Sequence, residues 1–453
     1  MEIPQDFTDR FVDAFGPGEA ASFKQAMAQP VPVSIRINPA KTTGRPALDP
    51  VPWNPNGFYL TDRPSFTADP WFHAGAYYAQ EASSMVVGHL MKQWVDGEMG
   101  GQPLRVLDLC GAPGGKSTDI MAMLRPQDLL VSNEVIQSRA GILREVATKW
   151  GYPNHLVTNN DPADFQRLPG FFDLMVVDAP CSGEGMFRKD EQAIREWSPA
   201  HVELCAARQQ RILADVWDAL REGGILLYST CTFNRRENEE ILARLRAKHE
   251  VTPVTIRGME AFGFVQSEVG GIPLYRAFPH RIRGEGFSFF VLRKTETGAS
   301  TYIRSTLRPV SDRFEGMALD GACYAEGDNW VFRTHAAETE TLKKYLKMIR
   351  SGVEIGTWKK DKLIPSGEWA LSHHARLPYP TLSLDRDQAL AYMRKEAFEL
   401  PSPEKGFYLV TYRHLPLGFI NHLGNRFNNL FPTNWRIRSR QSFDQMPVVS
   451  DLF

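Results

Sequence analysis

Residues 104–117 read LRVLDLCGAPGGKS, an apolar run that leads into a glycine-rich turn and then into a helical pattern. From about residue 104 to residue 294, short apolar runs alternate with further helical patterns. This alternation is typical of a parallel sheet covered by helices. The stretch therefore predicts an α/β fold whose first strand ends at a glycine-rich turn.

The other apolar runs predict the remaining strands of this domain. We expect strands at residues 128–132, 155–158, 172–177 and 225–229, with further extended runs at 273–278 and 287–292 that close the sheet. Each run is short and is bounded by turn-forming or charged residues, which favours strands over buried helices. The carboxyl ends of the parallel strands would then share one edge of the sheet.

Local signals also predict where the longer helices begin and end. We expect a helix from about Gln137 to Trp150, ended by a left-handed residue at Gly151. Ser198 and Pro199 predict the N-cap and the first position of a long amphipathic helix. Gly223 and the glycine after it are expected to end that helix.

The chain is too long for one compact core, because it has 453 residues of which 43% are apolar. We expect an N-terminal cap at residues 1–100, the α/β domain at 101–295, a first C-terminal domain at 303–382 and a last domain at 383–453. The segment TETGAST at 295–301 is small and polar, which is typical of a linker. Further helices are expected near 338–350 and 385–397.

Composition excludes several classes of protein. No apolar run reaches the about 18 residues that a membrane helix needs, and the N-terminus is short and acidic, so we expect a cytoplasmic protein without a membrane partner. The cysteines are odd in number and lack a Cys-x-x-Cys pair, which argues against a disulfide framework and against a zinc site. We expect no metal and a monomer. The five cysteines are Cys110, Cys181, Cys205, Cys231 and Cys323.

Charge alone does not indicate a nucleic-acid partner, because 52 basic residues are balanced by 53 acidic ones. Local basic groups are present outside the α/β domain. A helix near 338–350 would gather four cations on one face, a pattern more typical of a solvated surface: Lys343, Lys344, Lys347 and Arg350. On a strand after Trp435, three alternating arginines would point to one side, where phosphate binding is a reasonable alternative: Arg436, Arg438 and Arg440.

The glycine-rich turn at residues 110–117 fits a small-ligand pocket better than two nucleotide motifs. A phosphate-binding loop requires a glycine at the position of Cys110, and the dinucleotide fingerprint Gly-x-Gly-x-x-Gly is absent. Turns at this place of an open parallel sheet line the ligand crevice, and glycines admit close approach of a nucleoside or amino-acid group.

Two acidic residues at the next strand ends extend this pocket. Glu134 follows the second strand, where a carboxylate can accept both ribose hydroxyls, and Asp161 follows the third, within reach of an adenine edge. Either residue alone would more often be a cap or turn residue. Three consecutive strand ends with such residues favour a shared binding function.

Two cysteines and an aspartate follow the next two strands. Asp178 and Cys181 lie in DAPCSGEG at 178–185, and Cys231 lies in STCTF at 229–233. Both cysteines sit in polar, turn-forming segments, unlike Cys205, which lies on the buried stripe of a helix and is expected to be structural. We interpret Cys110 as pocket lining.

A cysteine at this place suits methylation of a cytosine ring. Carbon 5 of cytosine is a poor nucleophile, and a thiolate that adds to carbon 6 makes it electron-rich. A second ionisable group is then useful, because the carbon 5 proton must leave and the thiol must be expelled. Asp178 can hold the Watson–Crick edge of the base, and Lys116 can lower the pKa of a thiol.

With these residues in place, the chain resembles the Sun-type family of RNA cytosine-5 methyltransferases over most of its length. CGAPGGK at 110–116, DAPCSG at 178–183 and STCT at 229–232 look like its three core motifs, in the family's order. Further similar segments are SIRINP at 34–39, QEASSM at 80–85, PHR at 279–281 and GEGF at 284–287.

The resemblance implies a Rossmann-type methyltransferase core that uses S-adenosylmethionine. It implies that Cys231 is the nucleophile and that Cys181 helps to release the product, with Asp178 and Lys116 beside them. DNA cytosine-5 methyltransferases instead use the cysteine of a Pro-Cys pair, and the presence of Cys231 favours RNA. The cofactor-binding residues implied are Cys110, Gly111, Ala112, Pro113, Gly114, Gly115, Lys116, Glu134, Asp161 and Asp178.

The C-terminal third resembles the tail of the bacterial RsmF-like subgroup. The similar segments are KKDKLIPS at 359–366 and the stretch 406–438. This implies a PUA-like RNA-binding module within a C-terminal α+β region, and small-subunit (16S) ribosomal RNA as the target. Transfer RNA as the substrate, a catalytically silent ribosome-assembly protein and, more remotely, a nucleotidase stay open as alternatives.

Overall fold

A computed structural model of the chain describes residues 3–97, 99–311, 314–400, 404–439, 443 and 446–453. Its N-terminal part contains a small antiparallel sheet in the order β2-β1-β3, preceded by a helical hairpin. The elements are α1 (Gln5–Phe15), α2 (Pro17–Met27), β1 (Val33–Ile37), β2 (Gly57–Leu60), α3 (Pro70–Ala74), β3 (Tyr77–Ala79) and α4 (Val86–Asp96).

The central part contains a large mixed sheet flanked by helices. Its elements are β4 (Arg105–Asp108), α5 (Gly115–Met123), β5 (Leu129–Asn133), α6 (Gln137–Trp150), β6 (His155–Thr158), β7 (Phe172–Asp178), α7 (Glu191–Glu196), α8 (Pro199–Val216), β8 (Leu220–Thr230), α9 (Glu239–Lys248), β9 (Val251–Pro253), β10 (Val265–Val269), β11 (Ile272–Ala277) and β12 (Phe287–Lys294).

Within this sheet the strands β8-β7-β4-β5-β6 are parallel, and β12, β11 and β10 continue it with antiparallel pairing. The chain runs outward from β4 through β5 to β6 and then returns to β7 on the other side of β4. The carboxyl end of β4 is therefore the point where the strand order reverses, which is where open sheets of this kind bind ligands.

The C-terminal part contains two four-stranded sheets, β13-β14-β16-β17 and β18-β19-β20-β21. Its elements are β13 (Ala322–Glu326), β14 (Asn329–Arg333), α10 (Ala336–Lys343), β15 (Met348–Arg350), β16 (Val353–Lys359), β17 (Lys362–Pro365), α11 (Gly367–Leu371), β18 (Thr381–Leu384), α12 (Arg386–Arg394), β19 (Gly406–Tyr412), β20 (Leu415–His422) and β21 (Phe427–Asn429). None of the helices among the described residues is both long enough and apolar enough to span a membrane.

The local helix signals are confirmed at two ends and wrong at a third. The Ser198 hydroxyl accepts from the backbone N–H of His201 at 3.1 Å, with Pro199 at the first helical position. Gly151 ends α6 with a φ of 86°. The predicted stop at Gly223 is wrong, because α8 already ends at Val216 and the glycine lies inside β8. Trp217 and Leu220 are buried in the core, and β8 already pairs with β7 at Leu220. The chain therefore leaves the helix before it reaches Gly223.

Two predictions in the C-terminal part are also wrong. The helix expected near 338–350 ends at Lys343, and residues 348–350 form β15, which pairs with β6 at the edge of the central sheet. Arg350 is buried there and binds Glu368, so the four cations do not share a helix face. Residues 436–439 form no strand, and Arg440 lies outside the described residues.

Core packing joins the beginning and the end of the chain. One hydrophobic cluster contains Ile35 and Tyr77 from the N-terminal sheet together with Leu417 and Val449 from the C-terminal part. The buried carboxylate of Asp69 accepts from the backbone N–H of Ser450 at 2.9 Å. Two other clusters cover the two faces of the central sheet. The boundaries expected at 1–100, 101–295, 303–382 and 383–453 stay predictions.

Close packing of the N-terminal part on α6 predicts a sensitive glycine. Gly75 has a φ of 72°, and a Cβ there would lie 1.9 Å from the backbone oxygen of Lys149. We expect Gly75→Ala to lower the free energy of unfolding by about 2 kcal/mol or more, since strain and a backbone clash add. Thermal unfolding measures this. Gly183→Ala is the control, because φ is 75° there and the space is open, and an equal loss in both variants would contradict the packing explanation.

Candidate active site

The glycine-rich turn follows the end of β4 and leads into the first turn of α5, with Gly114 at the N-cap. Gly114 has a φ of 116°, and a Cβ at this position would lie 2.7 Å from Cγ1 of Val146. A glycine is therefore required by both conformation and space. The backbone N–H of Gly111 donates to the Asn133 carbonyl at 2.8 Å, which ties the turn to the end of β5. Burial raises the pKa of the Cys110 thiol, and the nearby Asp108 raises it further, so Cys110 stays protonated.

Glu134 lies directly after β5 and is buried, although two exposed apolar residues follow it. Its Oε1 accepts from the backbone N–H of Ile136 at 2.9 Å, and its Oε2 lies 3.5 Å from a guanidinium nitrogen of Arg139. Val135 and Ile136 are 53% and 48% exposed. A fixed carboxylate beside open apolar side chains suits a ligand with a ribose and a flat base, and this role of Glu134 stays a prediction.

Asp161 follows β6 and lies more in the open than Glu134. Its Oδ1 accepts from the backbone N–H of Ala163 at 3.1 Å, and Arg211 approaches the same carboxylate at 3.4 Å. These contacts make it the N-cap of the short 3-10 helix Pro162–Arg167. The contact of Asp161 with an adenine stays a prediction.

Asp178 and Lys116 form an ion pair at the centre of the site. Lys116 Nζ lies 2.8 Å from Asp178 Oδ2, and the Ser229 hydroxyl donates to Asp178 Oδ1 at 2.8 Å. Burial by itself lowers the pKa of Lys116, but Asp178 and then Cys231 outweigh it, so the net pKa is raised. The site therefore holds the charged ammonium of Lys116 close to the Cys231 thiol.

The two predicted thiols meet across the ends of β7 and β8. The register of these strands pairs Asp178 with Ser229, and the sulfurs of Cys181 and Cys231 lie 3.0 Å apart. The backbone N–H of Cys231 also donates to the Cys181 sulfur at 3.3 Å. The hydrogen bond with Cys231, together with burial, raises the pKa of Cys181. Cys205 is buried in α8, as expected.

Asp108, the last residue of β4, is a site residue that the sequence interpretation missed. Its Oδ2 accepts from the Ser117 hydroxyl at 2.6 Å, while its buried Oδ1 has no hydrogen-bond partner among the described residues. Burial raises the pKa of Asp108 to about 7, and the nearby Asp178 contributes to the rise. The signal that could have found it is an acidic residue at the end of an otherwise apolar strand.

Comparison with family models gives three matches along the chain. The model for 16S rRNA methyltransferase RsmB/F matches residues 100–293. The N-terminal domain of 16S rRNA methyltransferase RsmF matches residues 3–82, and the methyltransferase RsmF PUA domain matches residues 379–437. The three matches follow one another in the order that the motif resemblance implies.

Curated relatives match over most of their length. Ribosomal RNA small subunit methyltransferase F of Cronobacter sakazakii is 30% identical over 473 residues, which cover 95% of this chain and 95% of the relative. The protein of the same name from Shewanella loihica is 30% identical over 444 residues, which cover 89% of each. A relative at this identity and coverage shares the family of the chain.

Solved structures support the fold of the central part. A methyltransferase homolog protein from Pyrococcus horikoshii is 25% identical, covers 64% of this chain and 95% of its own, and has a TM-score of 0.53. NSun6 from Pyrococcus horikoshii with SFG has a TM-score of 0.53 at 19% identity and covers 65% and 98%. The predicted Rossmann-type methyltransferase core with a C-terminal PUA domain is confirmed.

Proposed function

The chain belongs to the 16S rRNA methyltransferase RsmB/F family, and from this membership we propose that it methylates carbon 5 of a cytosine in small-subunit (16S) ribosomal RNA. As a member of this family it is a methyltransferase, and the PUA-domain match at residues 379–437 supports an RNA substrate. The observation that carries the proposed chemistry is the pair of thiols, Cys181 and Cys231, whose sulfurs lie 3.0 Å apart beside the glycine-rich turn.

The residues around the turn fit S-adenosylmethionine, which supplies an electrophilic methyl group when bound. The buried Oδ1 of Asp108, which has no hydrogen-bond partner in the described part of the chain, suits the α-ammonium of its amino-acid part. Glu134 would accept the ribose hydroxyls, and the exposed Val135 and Ile136 suit a flat adenine. The remaining proposed contacts come from Cys110, Gly111, Ala112, Pro113, Gly114, Gly115, Lys116, Asp161 and Asp178.

The two thiols divide the covalent chemistry between them. Cys231 adds as a thiolate to carbon 6 of the cytosine, the electron pair of the C5–C6 double bond shifts to form a C4–C5 double bond, and N3 takes a proton. The resulting enamine is nucleophilic at carbon 5. Lys116 stabilises the thiolate, and Asp178 holds the Watson–Crick edge of the base. After carbon 5 has been methylated, the Cys181 thiolate takes the carbon 5 proton, the electron pair of that C–H bond re-forms the C5–C6 double bond, and Cys231 leaves carbon 6 as a thiolate. Cys181, adjacent to the departing sulfur, assists this release.

The raised pKa of Asp108, about 7, predicts a pH dependence of cofactor affinity. A cationic ligand favours the ionised carboxyl, so the affinity for S-adenosylmethionine is expected to rise up to about tenfold per pH unit below pH 7 and to level off above it. Titration calorimetry across this range measures the effect. Asp108→Asn should flatten the profile, and an unchanged profile in that variant would contradict the assignment.

The raised pKa of Asp108 also makes the stability of the ligand-free protein depend on pH. Because the folded pKa of Asp108 lies above the reference value of 3.8, its neutral form stabilises the fold at low pH, and this contribution is lost as pH rises through about 7. The difference in melting temperature between Asp108→Asn and the parent is therefore expected to grow in favour of the variant as pH rises.

Bisulfite sequencing of RNA from cells with and without the protein tests the proposed reaction and its target. We expect one or a few cytosines of 16S ribosomal RNA to lose their methyl group in cells that lack the protein. Loss confined to transfer RNA would support the alternative substrate. No change in any RNA, together with no binding of S-adenosylmethionine in calorimetry, would instead favour a silent ribosome-assembly protein.

A further inference from the structure

Two buried glutamates lie beneath the thiols, and the covalent chemistry does not use either of them. Glu184 follows Cys181 in the first loop, and Glu237 follows Cys231 in the second. They are 2% and 0% exposed, respectively. We refer to Glu184 and Glu237 as the glutamate pair. Burial of a carboxylate is costly unless hydrogen bonds compensate for it, so the partners of this pair indicate what it does.

Each member of the glutamate pair binds the loop that carries the other cysteine. Glu184 Oε2 accepts from the backbone N–H of Phe233 at 2.8 Å and of Asn234 at 3.0 Å, just after Cys231. Glu237 Oε2 accepts in return from the backbone N–H of Ser182 at 3.0 Å, directly after Cys181. The two loops are thus joined reciprocally by carboxylates that bind main-chain amides.

One side chain connects the two carboxylates. The Asn234 amide donates to Glu184 Oε1 at 2.9 Å and to Glu237 Oε1 at 2.8 Å. Gln209 on α8 completes the network, since its amide donates to Glu237 Oε2 at 2.7 Å and to the Pro180 carbonyl at 3.1 Å. Within the described ranges the donors to Glu237 are all neutral groups, so the network fixes positions there without an ion pair.

The network lies immediately behind the reacting sulfurs. The backbone N–H of Gly185 donates to the Cys231 carbonyl at 2.9 Å, and a Cβ at Gly185 would lie only 3.0 Å from that oxygen. A displacement of either loop would therefore change the separation of the two thiols directly. Misplacement of reacting groups by about 1 Å can lower a rate about 100-fold.

We propose that Glu184 and Glu237 are positioning residues that hold Cys181 and Cys231 together facing one base. This inference deepens the proposed function and rests on it for the catalytic consequence, but the effect on thiol geometry is independent of the reaction. Neither glutamate touches the base in this assignment. Their role is to set the position of the two loops through main-chain amides.

A substrate-free experiment tests the geometry. Diamide oxidises two neighbouring thiols to a disulfide, with the loss of two protons and two electrons to its nitrogen–nitrogen double bond, and peptide mapping identifies the Cys181–Cys231 link. Glu237→Gln is expected to slow this closure about tenfold. The alternative, a purely electrostatic role, predicts the opposite sign, because the Glu237 charge raises the pKa of Cys181 and its removal would speed closure.

A kinetic experiment tests the consequence for the proposed reaction. Glu237→Gln is expected to lower kcat about 10- to 100-fold. The KM values for RNA and S-adenosylmethionine should stay within about twofold, because positioning affects the chemical step rather than uniform binding. The matched control is Glu240→Gln, since Glu240 is exposed and pairs with Arg236 at the surface. It should leave both the closure rate and kcat unchanged.

The outcomes separate the two proposals. If Glu237→Gln slows formation of the Cys181–Cys231 disulfide but the unmodified protein methylates no cytosine, the proposed function is overturned and the positioning role stands. The positioning role is overturned if Glu237→Gln forms the disulfide at an unchanged or faster rate. It is also overturned if kcat falls only in parallel with the melting temperature and the cofactor affinity. If Glu237→Gln does not fold, Gln209→Leu removes a single donor to the same carboxylate and is expected to lower closure and kcat about threefold.

Discussion

Replacement of Cys231 by serine is expected to lower methyl transfer to cytosine by about 10³-fold or more, since loss of a covalent nucleophile is among the largest single effects known in enzymes. A hydroxyl adds to carbon 6 far less readily than a thiolate, and Lys116 beside it does not overcome this difference. Transfer of labelled methyl groups to 16S ribosomal RNA measures the loss. Cofactor affinity should stay within about twofold, because uniform binding is not removed.

The companion replacement, Cys181→Ala, is expected to behave differently from Cys231→Ser. If Cys181 assists release, a covalent complex between protein and RNA should accumulate and migrate as one species on a denaturing gel. Cys323→Ala is the control, because Cys323 is buried in β13, which belongs to a different sheet from β7 and β8. A covalent complex with Cys231 replaced, and none with Cys181 replaced, would reverse the two roles.

The meeting of these cysteines could be predicted because it follows from parallel strand order alone. Cys181 and Cys231 each come just after a buried apolar run, and the carboxyl ends of parallel strands share one edge of a sheet. The register that pairs Asp178 with Ser229 then brings the loops together. Caps such as Ser198 follow from local rules that act within one turn.

Features that depend on distant partners were not accessible in the same way. The hydrogen bond from Ser182 to Glu237 joins residues separated by 55 positions, so nothing near Glu237 in the sequence indicates a buried role. Strand β15 exists because the edge of β6 pairs with it, although the local pattern favours a helix. Gly223 is a strong helix stop by itself, yet α8 ends at Val216, because tertiary packing outweighs the local preference.

The same reasoning applies to Arg36, which appeared in the sequence only as part of a similar N-terminal segment. It is fully buried on β1 and reaches across to the start of α5. Its guanidinium donates to Gln80 Oε1 at 2.8 Å, to the Gly115 carbonyl at 3.1 Å and to the Thr118 carbonyl at 3.3 Å. The N-terminal part thus supports the glycine-rich turn from behind.

Arg36→Met is expected to lower the free energy of unfolding by about 3 to 5 kcal/mol, because it removes one partner of a buried charged network. Asp119, buried 3.5 Å from the Arg36 guanidinium, would lose its cation. The melting temperature should fall by about 6 °C or more for a unit of this size. Cofactor affinity should fall with it, since the carbonyls at the start of α5 lose their donors.

Two matched variants make the Arg36 prediction specific. Arg36→Lys keeps the charge but presents a single nitrogen, so it cannot reach Gln80, Gly115 and Thr118 together and should recover only part of the stability. Arg45→Met removes an exposed arginine from the same region and should change the melting temperature by no more than about 1 °C. If Arg36→Met melts like Arg45→Met, the N-terminal sheet does not hold the cofactor turn in place. A fall in stability without any loss of cofactor affinity would separate the two roles, because the turn would then keep its shape without the arginine behind it.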